Sequence, residues 1–243
     1  MDLTAGALGA IAFLGALVFG VTGFGAALVT IPLATHFVPL KFALALFVLA
    51  DLAAAISVGL ENPKNAVRTE WTRLVPMIFV GSALGVTLLV NLPRAAGMVL
   101  LGLFILWFAI LNLVRRANTR IVSPRWAWAA GFAGGITSTV FGAGGPPYAI
   151  YLSQRGLTKE QFRATLGFTT MTSISLRVAA FLVTGLLLNA QVWLTALFAV
   201  PGVLLGIAVA RRVYLKVSRE VLMRAVALLL LASGSSLLWR ALG

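Results

Sequence analysis

Apolar residues run along this chain in blocks of about twenty, the length a helix needs to cross a hydrocarbon core about 30 Å thick. The blocks cover residues 3–37, 42–60, 74–92, 95–114, 126–153, 162–188, 192–210 and 221–238. Polar residues are confined to the short links between them. This pattern predicts an all-α polytopic membrane protein, in which almost every residue belongs to a span or a short connection.

Blocks 3–37 and 126–153 are not expected to be single helices. The second contains Phe141-Gly142-Ala143-Gly144-Gly145-Pro146-Pro147-Tyr148. Glycine relaxes the backbone, and proline removes a donor and clashes with the preceding turn, yet proline suits the first turn of a new helix. Two half-helices joined at a tip are predicted, the second starting near Pro146 or Pro147. Free N–H groups and the positive end of its dipole would then face the tip, which favours an anion. A side chain at Gly144 is expected to block backbone approach and to disfavour any positive φ the turn requires. Block 3–37 is a softer copy, interrupted at Gly20-Val21-Thr22-Gly23-Phe24-Gly25 and continuing through Val29-Thr30-Ile31-Pro32.

The order of features repeats. Gly23-Phe24-Gly25 aligns with Gly142-Ala143-Gly144, Gly81 and Gly85 with Gly202 and Gly206, and Pro93-Arg94 with Ser218-Arg219, at offsets drifting from about 119 to 125. The chain therefore reads as a duplication, 1–120 and 121–243, each copy a broken hairpin (3–37, 126–153) followed by three spans. Charge orients the copies. If each broken block enters and leaves on one side, 15 basic residues face the cytoplasm and only Lys41, Arg94 and Arg240 face out, with Arg177 inside the membrane. Three full crossings per copy make the repeats inverted. Pro63, Asn118, Gly156 and Ser218 are then cytoplasmic, and Asn189 and both termini lie outside. A hairpin arm of about 15 residues rises about 22 Å, so two re-entrant tips from opposite faces meet near the midplane.

Composition removes several classes. With 60% hydrophobic and 10% charged residues there is no extramembrane domain. The net charge of +13 would suit nucleic acid, but the basic residues fall in the links, where the positive-inside rule accounts for them. No cysteine and one histidine exclude disulfides and Cys/His metal sites, so neither a metal nor a cofactor is expected. Asp2 stands where a signal peptide needs basic residues, so the first block reads as mature protein. No phosphate-binding Gly-x-x-x-x-Gly-Lys loop followed by Ser or Thr occurs, which argues against ATP-driven transport by this chain alone.

The candidate chemistry lies at depth. Interrupted hydrophobic segments at matching places in two halves point to a binding site, although glycine-rich breaks also serve helix packing. The expected tip residues are Gly23, Phe24 and Gly25 in one copy and Gly142, Ala143, Gly144, Gly145 and Pro146 in the other. Arg177 sits mid-span, where a charge costs at least roughly 2.5–3.5 kcal/mol. It is either paired with Asp51 or in contact with a substrate anion, whose oxygens a guanidinium matches in a fork. Asp51 is that partner, a proton carrier coupling transport, or a neutral buried acid. Hydroxyls from Thr169 through Thr172 and Ser173 add donors where they face Arg177. His36 reads as interfacial, and Gly81, Gly85, Gly202 and Gly206 as packing residues.

These residues resemble the TauE/SafE family of sulfite and organosulfonate transporters, over essentially the full chain. Gly142-Ala143-Gly144-Gly145-Pro146 followed by Phe162-Arg163-Ala164-Thr165 is most similar to the family pattern, whereas Ala26 and Ala27 depart from it in the first copy. The resemblance implies a secondary transporter, an exporter of a small sulfur-containing anion across the plasma membrane, ion- or proton-coupled and not an enzyme. Partners are the anion and the bilayer, and a homodimer stays open. A passive anion channel and an intramembrane lipid-phosphate enzyme are the competing classes.

Overall fold

In apolar surroundings the backbone must satisfy its own N–H and C=O groups, and the helix does so locally. The computed structural model describes residues 3–114 and 121–216, with helical residues within 227–239, and the described residues form helices and turns without a strand. The α-helices are α1 Leu3–Thr22, α2 Ala26–Ala34, α3 Leu40–Gly59, α4 Arg68–Asn91, α5 Arg94–Val114, α6 Trp126–Phe141, α7 Gly145–Leu152, α8 Lys159–Val183 and α9 Ala190–Lys216. A short 3-10 turn, Pro63–Asn65, precedes α4. By length and hydropathy α3, α4, α8 and α9 can each cross a membrane. Asn118, Ser218 and half of the block 221–238 lie outside the described residues.

Local chemistry sets the boundaries. α8 begins before residue 162 because Thr158 accepts from the Gln161 N–H while the Gln161 side chain accepts from the Thr158 N–H, a reciprocal cap. It ends before residue 188 because Gly185 takes φ 79°. α4 starts at Arg68, well before residue 74, so Glu70 and Arg73 belong to its first turns.

Both expected breaks are present. Gly23 and Gly25 have φ of 80° and 88°, and Gly142 has φ 74°, a left-handed conformation that side chains resist. Thr22 Oγ1 receives the Phe24 N–H at 3.2 Å, stabilising the first break. At each break the chain doubles back. Gly15 packs against Thr30, and Gly134 against the Tyr148 ring; a Cβ on either glycine would overlap the facing side chain. At the base of the second pair the Val122 N–H donates to the Gln154 carbonyl at 3.0 Å, so α6 and α7 begin and end together.

Packing crosses between the halves. α1 lies along α9, and α6 along α4, through glycines that bring backbones into contact. Gly81 and Gly85 of α4 face Phe132, Ile136 and Thr139, while Gly202 and Gly206 of α9 face Gly9, Phe13 and Ala16, which agrees with their reading as packing residues. A Cβ on Gly81 would press on the Phe132 carbonyl, and one on Gly206 on the Phe13 carbonyl. Outward, α4 and α9 expose Phe79, Leu84, Leu194, Leu197 and Leu204, an apolar surface suited to lipid.

One end of the molecule carries the charged links. Glu70, 4% exposed, receives Arg155 Nη2 at 2.9 Å, Arg73 Nη1 at 2.8 Å and the Tyr151 hydroxyl. Arg163 Nη2 reaches Glu61 at 3.1 Å and the Gly20 carbonyl at 3.3 Å. Links 61–67 and 153–158 thus lie side by side. The bond from Glu70 holds the Arg155 proton more tightly than usual.

Candidate functional site

α3 and α8 pack against each other, and each brings one ionisable residue to the middle of the bundle. Arg177 is 1% exposed and Asp51 4%. Arg177 Nη2 donates to Asp51 Oδ2 at 2.6 Å, and Nη1 to the Ser138 carbonyl at 3.0 Å, near the end of α6. Of the two sequence readings of Arg177, the pair with Asp51 is the one the geometry contains. Removing either partner would strand a buried charge, which is far costlier than an exposed pair is valuable.

The two breaks meet above this pair. Gly145 packs against the Phe24 ring, where a Cβ would overlap it. A Cβ at Gly142 would lie 2.7 Å from Ala27 and 2.8 Å from Arg177 Nη1. Between the breaks lies a cavity walled by Phe24, Ala26, Asp51, Gly144, Tyr148 and Ser173, among others. It is thin, with room for little more than a water molecule. Asp51 stands in its wall, and Arg177 stands behind Asp51.

Phe24, Gly25, Gly142, Gly144, Gly145 and Ser173 line the cavity, whereas Gly23, Ala143 and Pro146 do not. Ala143 instead donates its N–H to the Thr137 carbonyl at 3.0 Å. Thr169 gives its hydroxyl to the Thr165 carbonyl at 2.8 Å, and Thr172 gives its own to Phe168 at 2.9 Å while receiving Trp71 Nε1 at 3.0 Å. Neither hydroxyl faces the cavity. Gly144 has φ −72°, so its constraint is crowding, not positive φ: a Cβ would sit 2.7 Å from Ser138 Cβ and 2.8 Å from the Gly134 carbonyl.

The start of α7 also differs from expectation. The helix begins at Gly145, so Pro146 and Pro147 occupy its first turn and bring no N–H to the tip. α2 begins Ala26-Ala27-Leu28, three residues that each carry one, and Ala26 and Ala27 line the cavity. The softer first break therefore offers more donors than the glycine-proline break.

Sequence reasoning missed Ser138 and Tyr148 as wall residues. The Tyr148 hydroxyl donates to Ser173 Oγ at 2.9 Å. Of the hydroxyls named from the sequence, Ser173 and Thr170 are the two that lie one and two turns back from Arg177 on the same face of α8, and they line the cavity.

The comparisons agree with a membrane carrier. Residues 8–237 match the family described as Sulfite exporter TauE/SafE. The chain is 27% identical over 199 residues to the probable inner membrane transporter protein TsaS of Comamonas testosteroni, covering 80% of this chain and 83% of that protein. No solved structure matches. The family match, which spans the bundle almost end to end, places this chain in the TauE/SafE sulfite exporter family.

Proposed function

We propose that this protein is a secondary transporter that moves a small sulfur-containing oxyanion, such as sulfite or an organosulfonate, outward across the plasma membrane, and that it is not an enzyme. The observation that carries this reading is the cavity enclosed by the two helix breaks with Asp51 in its wall and Arg177 behind it. N–H groups of Ala26 and Ala27 and the hydroxyl of Ser173, which accepts from Tyr148 and keeps its own proton to give, are donors of the kind an oxyanion needs, and they carry no formal charge. The contact of Phe24 with Gly145 closes the passage between the tips, which favours a carrier over an open channel.

In this reading the broken pairs α1–α2 and α6–α7 are re-entrant hairpins in two inverted repeats, 1–120 and 121–243. The joined base at Val122 and Gln154 and the exchanged packing of α1 with α9 and α6 with α4 support it. The charged links at Glu61, Arg73, Arg155 and Arg163 are cytoplasmic, and both termini face out.

Asp51 supplies the coupling. Ionised, it neutralises Arg177 and turns a negative edge toward the cavity, which repels an anion. Protonated, it leaves the Arg177 charge unbalanced, and an anion restores neutrality. Proton and monovalent anion therefore bind together, and the loaded site moves through low dielectric without net charge. Flux follows the combined gradient, outward when the substrate accumulates inside.

Thermal shift of the purified protein with sulfite, sulfate, taurine, sulfoacetate and small carboxylates tests the substrate class. A ligand at about 100 times its Kd stabilises by about 2.7 kcal/mol, well within detection. Stabilisation by carboxylates and none by any sulfur oxyanion would reject the reading.

A further inference from the structure

Asp51 borders a second cavity, between α1, α2, α3 and α9, with room for about one water. Its wall is Ala, Phe and Val except for two polar side chains, Asp51 and Thr30. Thr30 is 2% exposed, and its Oγ1 has no hydrogen-bond partner among the described residues. Other span hydroxyls behave differently: those of Thr169 and Thr170 each bond a carbonyl one turn back, at 2.8 Å. The Thr30 methyl fills the space left by Gly15. Arg177 engages Asp51 Oδ2, leaving Oδ1 outside that bond.

An orphan hydroxyl in a dry apolar wall is costly, so an occupant that bonds it is favoured. Two side-chain oxygens are too few for a hard cation, which takes about six oxygen ligands. A water needs only two to four polar partners. We infer that this cavity holds one water bonded to Thr30 Oγ1 and to the Asp51 carboxylate, and that the proton that loads Asp51 arrives through it, on the side away from the substrate. The step is a plain proton relay. The water passes a proton to the carboxylate and takes one from the aqueous phase, and release runs in reverse. Arg177 on α8 is the one charged group facing Asp51 among the described residues. Tyr148 on α7 stands at the substrate cavity, and α1, α2 and α9 bring only Ala, Thr and Val to this wall. Thr30 is thus a positioning residue, and the inference rests on reading Asp51 as the proton carrier.

The test uses the full chain in proteoliposomes with radiolabelled sulfite as probe, comparing Thr30→Val, Thr30→Ser and Asp51→Asn. Thr30→Val is expected to slow pH-gradient-driven net flux by roughly tenfold or more while leaving sulfite exchange, which moves no net proton, within about twofold, and Thr30→Ser is expected to restore net flux. Wild-type net flux in Thr30→Val, with Asp51→Asn inactive in that assay, would overturn the relay and leave Asp51 as carrier. Wild-type net flux in both variants would remove Asp51 from coupling and the relay with it. Thermal melting gives a readout that needs no substrate. In a dry cavity Thr30→Val deletes an unpaired hydroxyl and raises Tm by about 2 °C or more, which would overturn the inference. With a water bound, the same change removes one of its partners, and Tm stays level or falls.

Discussion

At the scale of single residues, the pair of Asp51 and Arg177 decides how the site is built. Both guanidinium Nη groups are engaged by protein, one by Asp51 and one by the Ser138 carbonyl. A double-mutant cycle tests the energetics: Asp51→Leu and Arg177→Met alone should each destabilise by about 3–5 kcal/mol, and the double variant by far less than the sum, because no buried charge is left unpaired. Additive losses in thermal melting would mean that the residues do not act as a pair. Binding is expected to fall by roughly ten- to a hundredfold in Arg177→Ala, which removes the positive charge that balances the anion, and less in Arg177→Lys, which keeps it. That Arg177 matters was legible, since a lone mid-span charge is conspicuous. Its pairing with Asp51, 126 positions away, was one of two readings, because a substrate anion satisfies the same charge balance. Tyr148 was hidden: nothing local marks an aromatic beside two prolines as the donor to Ser173.

At the scale of elements, the breaks were legible because their causes are local. A left-handed φ needs glycine, and a proline cannot continue the preceding helix. The direction in which donors point was misjudged at α7, since the prolines that start the helix also empty its first turn of N–H groups. Gly142 and Gly156 separate strain from crowding. Both have positive φ, 74° and 66°, so alanine at either should cost about 1–2 kcal/mol in backbone strain. At Gly156 the added Cβ meets only Ile121 Cδ1 at 3.7 Å, whereas at Gly142 it presses on Ala27 and Arg177. Gly142→Ala is therefore expected to lose sulfite transport and lower Tm more than Gly156→Ala. Equal losses in the two would mean that the contact between the tips carries no function. Helix pairing was the least legible level: the glycine spacing marked packing faces on α4 and α9, but not that each would bind the first arm of the opposite half.

At the scale of the whole molecule, the charged links and the helix bases give a topology that labelling can check. The chain has no cysteine, so single introduced thiols report without background. Ser123 and Lys159 flank the α6–α7 pair and are exposed, as is Lys64 in the link before α4. If α6 and α7 form a re-entrant hairpin, the chain crosses no full bilayer between Ser123 and Lys159, and the joined base at Val122 and Gln154 keeps both on one side. Lys64 should share that side, because Glu61 and Glu70 bond Arg163 and Arg155 across the two links. α8 then crosses once, so the exposed Asn189 before α9 should lie opposite. In oriented vesicles, an impermeant maleimide should thus modify Ser123→Cys, Lys64→Cys and Lys159→Cys from the cytoplasmic face and Asn189→Cys from the outer face. The 15-to-3 distribution of basic residues favours the cytoplasm for the first three. Labelling of Ser123→Cys and Lys159→Cys from opposite faces would make α6–α7 a full crossing. The second break would then be a kink within a crossing segment instead of a re-entrant tip, and a carrier built on two opposed hairpins would be rejected even though Phe24 still meets Gly145.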